Sequence, residues 1–176
     1  MRGPAARLGL LAPALLGAAF AQGPARPPDI HFTPTRHAVA DAMLALAGTG
    51  PGDMVIDLGS GDGRIPIIAA QKYGARGIGI EIRPDLVALS RQVASEGGVA
   101  DRVRFVEGDL LTADLSEATV ITMYLSTTLT RQLEPRLRAL APGTRIVSHQ
   151  FRFREWAPDR TATIDGNAIF LWMVPR

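Results

Sequence analysis

The eight residues DLGSGDGR, Asp57 to Arg64, place glycines at positions 59, 61 and 63 and two carboxylates among them. Glycine accepts positive φ and lets a ligand come close to the backbone, so such a turn often cradles phosphate. Here Asp57 and Asp62 would repel an anion held in a low-dielectric turn. Glycines and acids together suit a ligand that carries positive charge.

Two more acids extend the pattern. Glu81 ends the second apolar run, twenty residues after Gly61, and Asp109 ends the third. One candidate ligand is a dinucleotide such as NAD, whose fingerprint is G-x-G-x-x-G. Gly59 and Gly61 match it, but Arg64 stands at the final position and Gly63 comes one residue early. The other is S-adenosyl-L-methionine, which has no phosphate and carries a sulfonium and an ammonium group. Asp57 and Asp62 can accept from that ammonium or its waters, Glu81 from both ribose hydroxyls, and Asp109 from the adenine amino group. Singly, Glu81 reads as a surface charge before Pro84 and Asp109 as a helix cap; jointly the acids favour S-adenosylmethionine. An NAD-linked reductase would need a Tyr-Lys pair, and Lys72 is the only lysine.

These side chains need a scaffold that brings strand ends together. MVIDLG (54–59), ARGIGIEI (75–82), VRFVEGD (103–109), ATVITMYL (118–125) and TRIVSHQF (144–151) read as short buried strands. Between them, Ile65 to Tyr73, Pro84 to Glu96 and Leu129 to Leu140 read as helices, with Pro66 in a first turn and Pro135 as a break or second start. A further helix follows Thr35, which is expected to cap it. Strand–helix alternation predicts a parallel α/β sheet with its ligand at the carboxyl edge. Asp165-Gly166 between RTATID and NAIFLWMV predicts a terminal antiparallel hairpin.

The chain has 176 residues, with apolar types making up 47%, enough for one domain with a core. Its formal net charge of +2 gives no argument for a nucleic-acid partner. The lack of cysteine excludes disulfides, thiolate metal sites and a cysteine nucleophile. His31, His37 and His149 lack metal-ligand spacing, so no metal is expected. At the amino end, Arg2 and Arg7, the apolar run Leu8 to Phe20 and Ala19-Phe20-Ala21 read as a secretory signal peptide or short membrane anchor over residues 1–21. Residues 22–29 form a Pro-rich linker, and the folded domain is expected over 30–176. This implies an exported or membrane-associated protein, or a cytoplasmic one if translation starts downstream.

The motifs VIDLGSGDGR, GIGIEI and EGDL resemble those of the class I S-adenosylmethionine-dependent methyltransferases, in the family's order. The resemblance implies a Rossmann-like, seven-stranded, mostly parallel sheet of order 3-2-1-4-5-7-6, with strand 7 antiparallel and helices on both faces. It also implies S-adenosyl-L-methionine contacts at Thr35, Asp57, Gly59, Ser60, Gly61, Asp62, Gly63, Glu81, Ile82, Asp109 and Leu110. FTPT (32–35) and HQFRFREWAPDR (149–160) are further similar to small single-domain protein-lysine methyltransferases, including archaeal enzymes and the mitochondrial enzyme acting on the c subunit of ATP synthase. An Asn-Pro-Pro-Tyr-type motif, which would favour amide or adenine-amine acceptors, does not follow the fourth strand; MYLS stands there, with Tyr124 as candidate for shaping the acceptor channel or binding the amine. The resemblance implies in-line displacement of methyl onto an uncharged nucleophile, most simply a protein lysine. A small-molecule acceptor, or a non-catalytic exported protein that binds S-adenosylmethionine or adenosine, remains the alternative. His149, Phe151, Phe153 and Trp156 are left between the site and structural packing.

Overall fold

The computed structural model describes residues 32–176. The segment 1–21, the whole linker 22–29 and the first two residues of the expected domain therefore lie outside the described residues. Eleven elements follow in order: α1 (His37–Leu46), β1 (Met54–Leu58), α2 (Arg64–Tyr73), β2 (Arg76–Glu81), α3 (Pro84–Glu96), β3 (Val103–Glu107), β4 (Val120–Met123), α4 (Thr127–Arg138), β5 (Arg145–His149), β6 (Arg160–Ile164) and β7 (Asn167–Met173). The strands form one sheet of order β3-β2-β1-β4-β5-β7-β6. β1 to β5 pair in parallel, and β7 runs antiparallel to both β5 and β6.

The strand register explains the two-sided core. From β1, Ile56 and Leu58 pack with Leu129, Leu133 and Leu137 of α4. Val55 turns the other way, to Val39, Met43 and Leu44 of α1 and Ala69 of α2. A strand buried on both faces reads as a nearly continuous apolar run, as MVIDL does apart from Asp57. α3 closes over β3 through Val87 and Ala94 against Phe105.

Three local expectations change. The N-cap of α1 is Arg36, and no side chain caps that end; the Thr35 hydroxyl instead faces His149. α4 begins two residues before the expected Leu129, where Ser126 Oγ accepts from Leu129 N at 3.3 Å, and it runs through Pro135 without ending. Pro135 is exposed, so its ring meets water where it interrupts the helical bonding. No helix joins β5 to β6; FRFREWAPDR makes the connection directly.

That connection acts as a clasp. Phe153 and Trp156 stack at 5.5 Å and pack on Trp172 of β7, whose Nε1 donates to Trp156 O at 2.9 Å. Asp159 Oδ2 accepts from Met173 N at 2.7 Å. Arg138 of α4 lies over the Trp156 ring. Phe153 and Trp156 thus belong to the core, and only Phe151 of this aromatic group reaches the cleft.

Candidate functional site

β1 and β4 are neighbours although β2 and β3 come between them in sequence, so the chain reverses direction across the sheet at this point. Such a switch point opens a crevice beyond the carboxyl ends of the strands. A cleft of about 240 Å³ lies there, far larger than a water site. Its lining comes from the carboxyl ends of β1, β2, β3 and β4 and from the strap Phe32–Thr35 ahead of α1.

The turn after β1 requires its glycines. Gly59, Gly61 and Gly63 have φ of 74°, 55° and 79°. A Cβ on Gly61 would come within 2.3 Å of the Phe32 ring, and one on Gly63 within 2.5 Å of Phe105. Backbone bonds from Gly59 N and Ser60 N to Ile80 O fix the turn to β2. Gly63 is the N-cap of α2.

The acids divide by role. Asp57 is almost fully buried, and Thr122 of β4 donates to its Oδ1 at 2.7 Å. Burial pushes its pKa up to about 7, against the Thr122 bond and with help from the charges of Glu81 and Asp62. Glu81 accepts from Gly61 N at 2.9 Å and from Arg83 N at 3.0 Å. It therefore holds the glycine turn as well as facing the cleft, and a carboxylate with about four lone-pair sites keeps two more for a ligand. Asp62 lines the cleft but is already paired there with Arg64. Arg64 Nε donates to it at 2.9 Å, and burial, which would raise its pKa, is outweighed by the Arg64 bond and charge, so the net shift is downward. Arg64 also donates to Thr35 O at 2.8 Å, so this ion pair ties the strap to the turn. Asp109 lines the cleft while its Oδ1 accepts from Leu111 N at 2.8 Å.

Thr35, Ile82, Leu110 and Tyr124 also line the cleft. The Ser60 hydroxyl is turned away toward β2, where a Cβ on Gly79 would lie 2.5 Å from it, so Ser60 presents backbone rather than side chain. One contributor escaped the sequence reading, and a second was quoted there only as part of FTPT. Arg136 of α4 donates to Leu110 O, Leu111 O and Ala113 O, holding the loop that carries Asp109. Phe32 covers Gly61. Arginine is common in this chain, and nothing in the pattern marks position 136.

At the far end, Tyr124 follows β4 and its ring lies 4.0 Å from that of His149 and 6.1 Å from that of Phe151. His149 is buried and meets Thr35 Oγ1 at 3.4 Å and Asn167 Oδ1 at 3.2 Å. Desolvation lowers its pKa, against the bond to Asn167. It packs behind Tyr124 rather than lining the cleft. Among the described residues, no group of three His, Cys, Asp or Glu side chains is placed to hold a metal ion.

The donor and acceptor set fits S-adenosylmethionine. Buried carboxylates line the cleft where a cationic group could be met, the glycine turn allows close backbone approach without a phosphate, and Ile80, Ile82 and Leu110 offer apolar surface.

Comparisons with known proteins agree with this geometry. Residues 57–160 match the ANTKMT methyltransferase domain. A protein-lysine N-methyltransferase of Saccharolobus islandicus (strain REY15A) is 37% identical over 153 residues, covering 84% of this chain and 95% of that protein. The adenine nucleotide translocase lysine N-methyltransferase of Mus musculus is 38% identical over 66% of this chain, which spans only 51% of that longer protein. The crystal structure of an RNA methyltransferase from Salinibacter ruber in complex with S-adenosyl-L-homocysteine aligns with a TM-score of 0.80 and 52% identity, over 81% of this chain and 94% of that one. With the glycine turn, the strand-end acids and the seven-stranded order in place, the chain belongs to the ANTKMT methyltransferase-domain family and is an S-adenosylmethionine-dependent methyltransferase.

Proposed function

We propose that this enzyme methylates the ε-amino group of a protein lysine. The observation that carries the reading is the polarity of the cleft along the sheet edge. Carboxylates crowd its β1–β3 end, and an aromatic wall of Tyr124 and Phe151 closes its β4–β5 end. Bound there, S-adenosylmethionine would supply an electrophilic methyl on a sulfonium. In this reading Asp57 takes the ammonium of its methionine part, Glu81 the ribose hydroxyls and Asp109 the adenine side. The backbone of Gly59 to Gly63 approaches the chain of the ligand, with Ile82 and Leu110 against the base and Thr35 in the strap above.

Tyr124 and Phe151 then stand at the reacting end. A flat, largely apolar channel of this kind strips water from an incoming amine and aligns its lone pair for in-line attack. The similarity to a protein-lysine N-methyltransferase across nearly the whole of that protein supports the acceptor class.

One observation favours a second reading. The Salinibacter protein, at 52% identity, is named an RNA methyltransferase. Incubating the enzyme with methyl-labelled S-adenosylmethionine and a cell extract, then splitting the product with protease or nuclease, separates the two. Label on lysine in peptide mass spectra is the expected outcome; label confined to nuclease-sensitive material overturns the lysine reading. The amino-terminal segment supports export or membrane attachment, which Edman or mass-spectrometric reading of the cellular protein's terminus tests: cleavage after Ala21 or retention in membranes is expected, and an intact soluble chain overturns it.

A further inference from the structure

Hydrogen-bond polarity can be followed from the terminal hairpin into the reacting end of the cleft. Asn167 Nδ2 donates to Ile164 O at 3.3 Å and Asp165 O at 3.0 Å, two carbonyls of the hairpin turn. That fixes the amide, since the reverse orientation would set oxygen against oxygen. Asn167 Oδ1 must then accept, and it meets both His149 Nε2 and Gln150 Nε2 at 3.2 Å. Gln150 is fixed in turn, with Oε1 pointing at Tyr124 Oη at 3.3 Å. The single phenolic hydrogen goes to Gln150, leaving the Tyr124 oxygen with lone pairs and no proton to give.

The backbone supports this placement. Gln150 has φ of 63°, and Asp165, within the hairpin turn, is the other non-glycine residue with positive φ among the described residues. The conformation is held by Gln150 N to Ala168 O and by Phe151 N to His149 O, both 2.8 Å, which close a three-residue turn over Gln150. A strained residue beside a cleft is a feature that binding sites commonly retain.

Resting on the methyltransferase reading above, we infer that Gln150 and Asn167 are positioning residues that hold Tyr124 Oη as a hydrogen-bond acceptor toward the methyl acceptor, so that the site selects a group arriving with N–H, a primary amine. An ammonium or amine donates strongly to such an oxygen. A bare ring nitrogen, as in a nucleobase, would set its lone pair against those of Tyr124.

The test needs no acceptor. Sinefungin carries a C–NH3+ group where S-adenosylmethionine has its sulfonium methyl, and S-adenosylhomocysteine has nothing there. Calorimetry is expected to show the unmodified protein preferring sinefungin by about tenfold, the worth of one charged hydrogen bond. Tyr124→Phe removes the oxygen, and Gln150→Gly removes the amide while accommodating positive φ. Each should erase most of the preference, read as the ratio of the two affinities so that any change common to both compounds cancels, and the double variant should lose no more than either alone. Gln150→Glu, which keeps the accepting oxygen, should retain the preference. A preference that survives Tyr124→Phe or Gln150→Gly overturns the inference while leaving the cofactor site standing. Failure of the unmodified protein to bind either compound would overturn the cofactor reading and this inference with it.

Discussion

Asp57 shows how burial turns an ordinary residue into a tuned one. The end of a buried strand desolvates it, Thr122 supplies one hydrogen bond, and its pKa settles at about 7 instead of 3.8. A cation beside it is bound best by the ionised form. S-adenosylmethionine affinity is therefore expected to rise about tenfold between pH 6 and pH 8, and Asp57→Asn should flatten that profile while weakening binding, both readable by calorimetry. The sign for stability is opposite. The folded chain holds this proton more tightly than the unfolded one, so Asp57's contribution is greatest below pH 3.8 and is lost as pH rises through about 7. Glu81 behaves differently because it grips Gly61 N and Arg83 N. Glu81→Ala is expected to abolish measurable S-adenosylmethionine binding by calorimetry, since it frees the glycine turn and, in the proposed arrangement, also removes the acceptor for the ribose.

At the scale of elements, the β6–β7 hairpin matters beyond its edge of the sheet. Asp165 and Gly166 both take positive φ, 50° and 77°, the two-residue turn that suits a twisted hairpin. Asn167 uses that turn as its anchor before reaching His149 and Gln150. Gly166→Val is expected to cost about 1–3 kcal/mol in urea denaturation, because a β-branched residue strains at that φ. α4 carries a reverse case. Pro135 interrupts an otherwise continuous, amphipathic helix at an exposed position, so Pro135→Ala should restore a backbone bond and stabilise the fold by about 1–3 kcal/mol by the same measurement.

For the whole molecule, the strand order places the crevice at β1 and β4 and uses the antiparallel hairpin to close the β5 edge. Trp172 is fully buried there against Phe153 and Trp156, joining the last strand to the α4 layer. Trp172→Ala is expected to cost about 3–5 kcal/mol and to lower the melting temperature, with the loss seen in both core and site probes if the sheet unfolds as one unit.

The sequence by itself determined the alternation of strands and helices, the hairpin turn and the line of acids at strand ends. Those follow from local rules: apolar period, glycine and proline punctuation, and charge type at the end of each apolar run. Asp57, Glu81 and Asp109 were legible as a set because a parallel sheet brings successive strand ends to one edge. Which groups of the chain those acids already hold was decided only by the tertiary structure. Asp62 reads as a ligand acceptor, and only the structure shows Arg64 paired with it; Thr35 reads as a helix cap until its hydroxyl is seen beside His149. Arg136 and Asn167 carry no motif, and Gln150 lies within HQFRFREWAPDR without any sign of its partner. Their roles arise from partners far along the chain, Gln150 to Tyr124 at a separation of 26 and His149 to Asn167 at 18 among them. Local propensity has no access to such pairs; the packing of β5, β7 and the turn after β4 creates them.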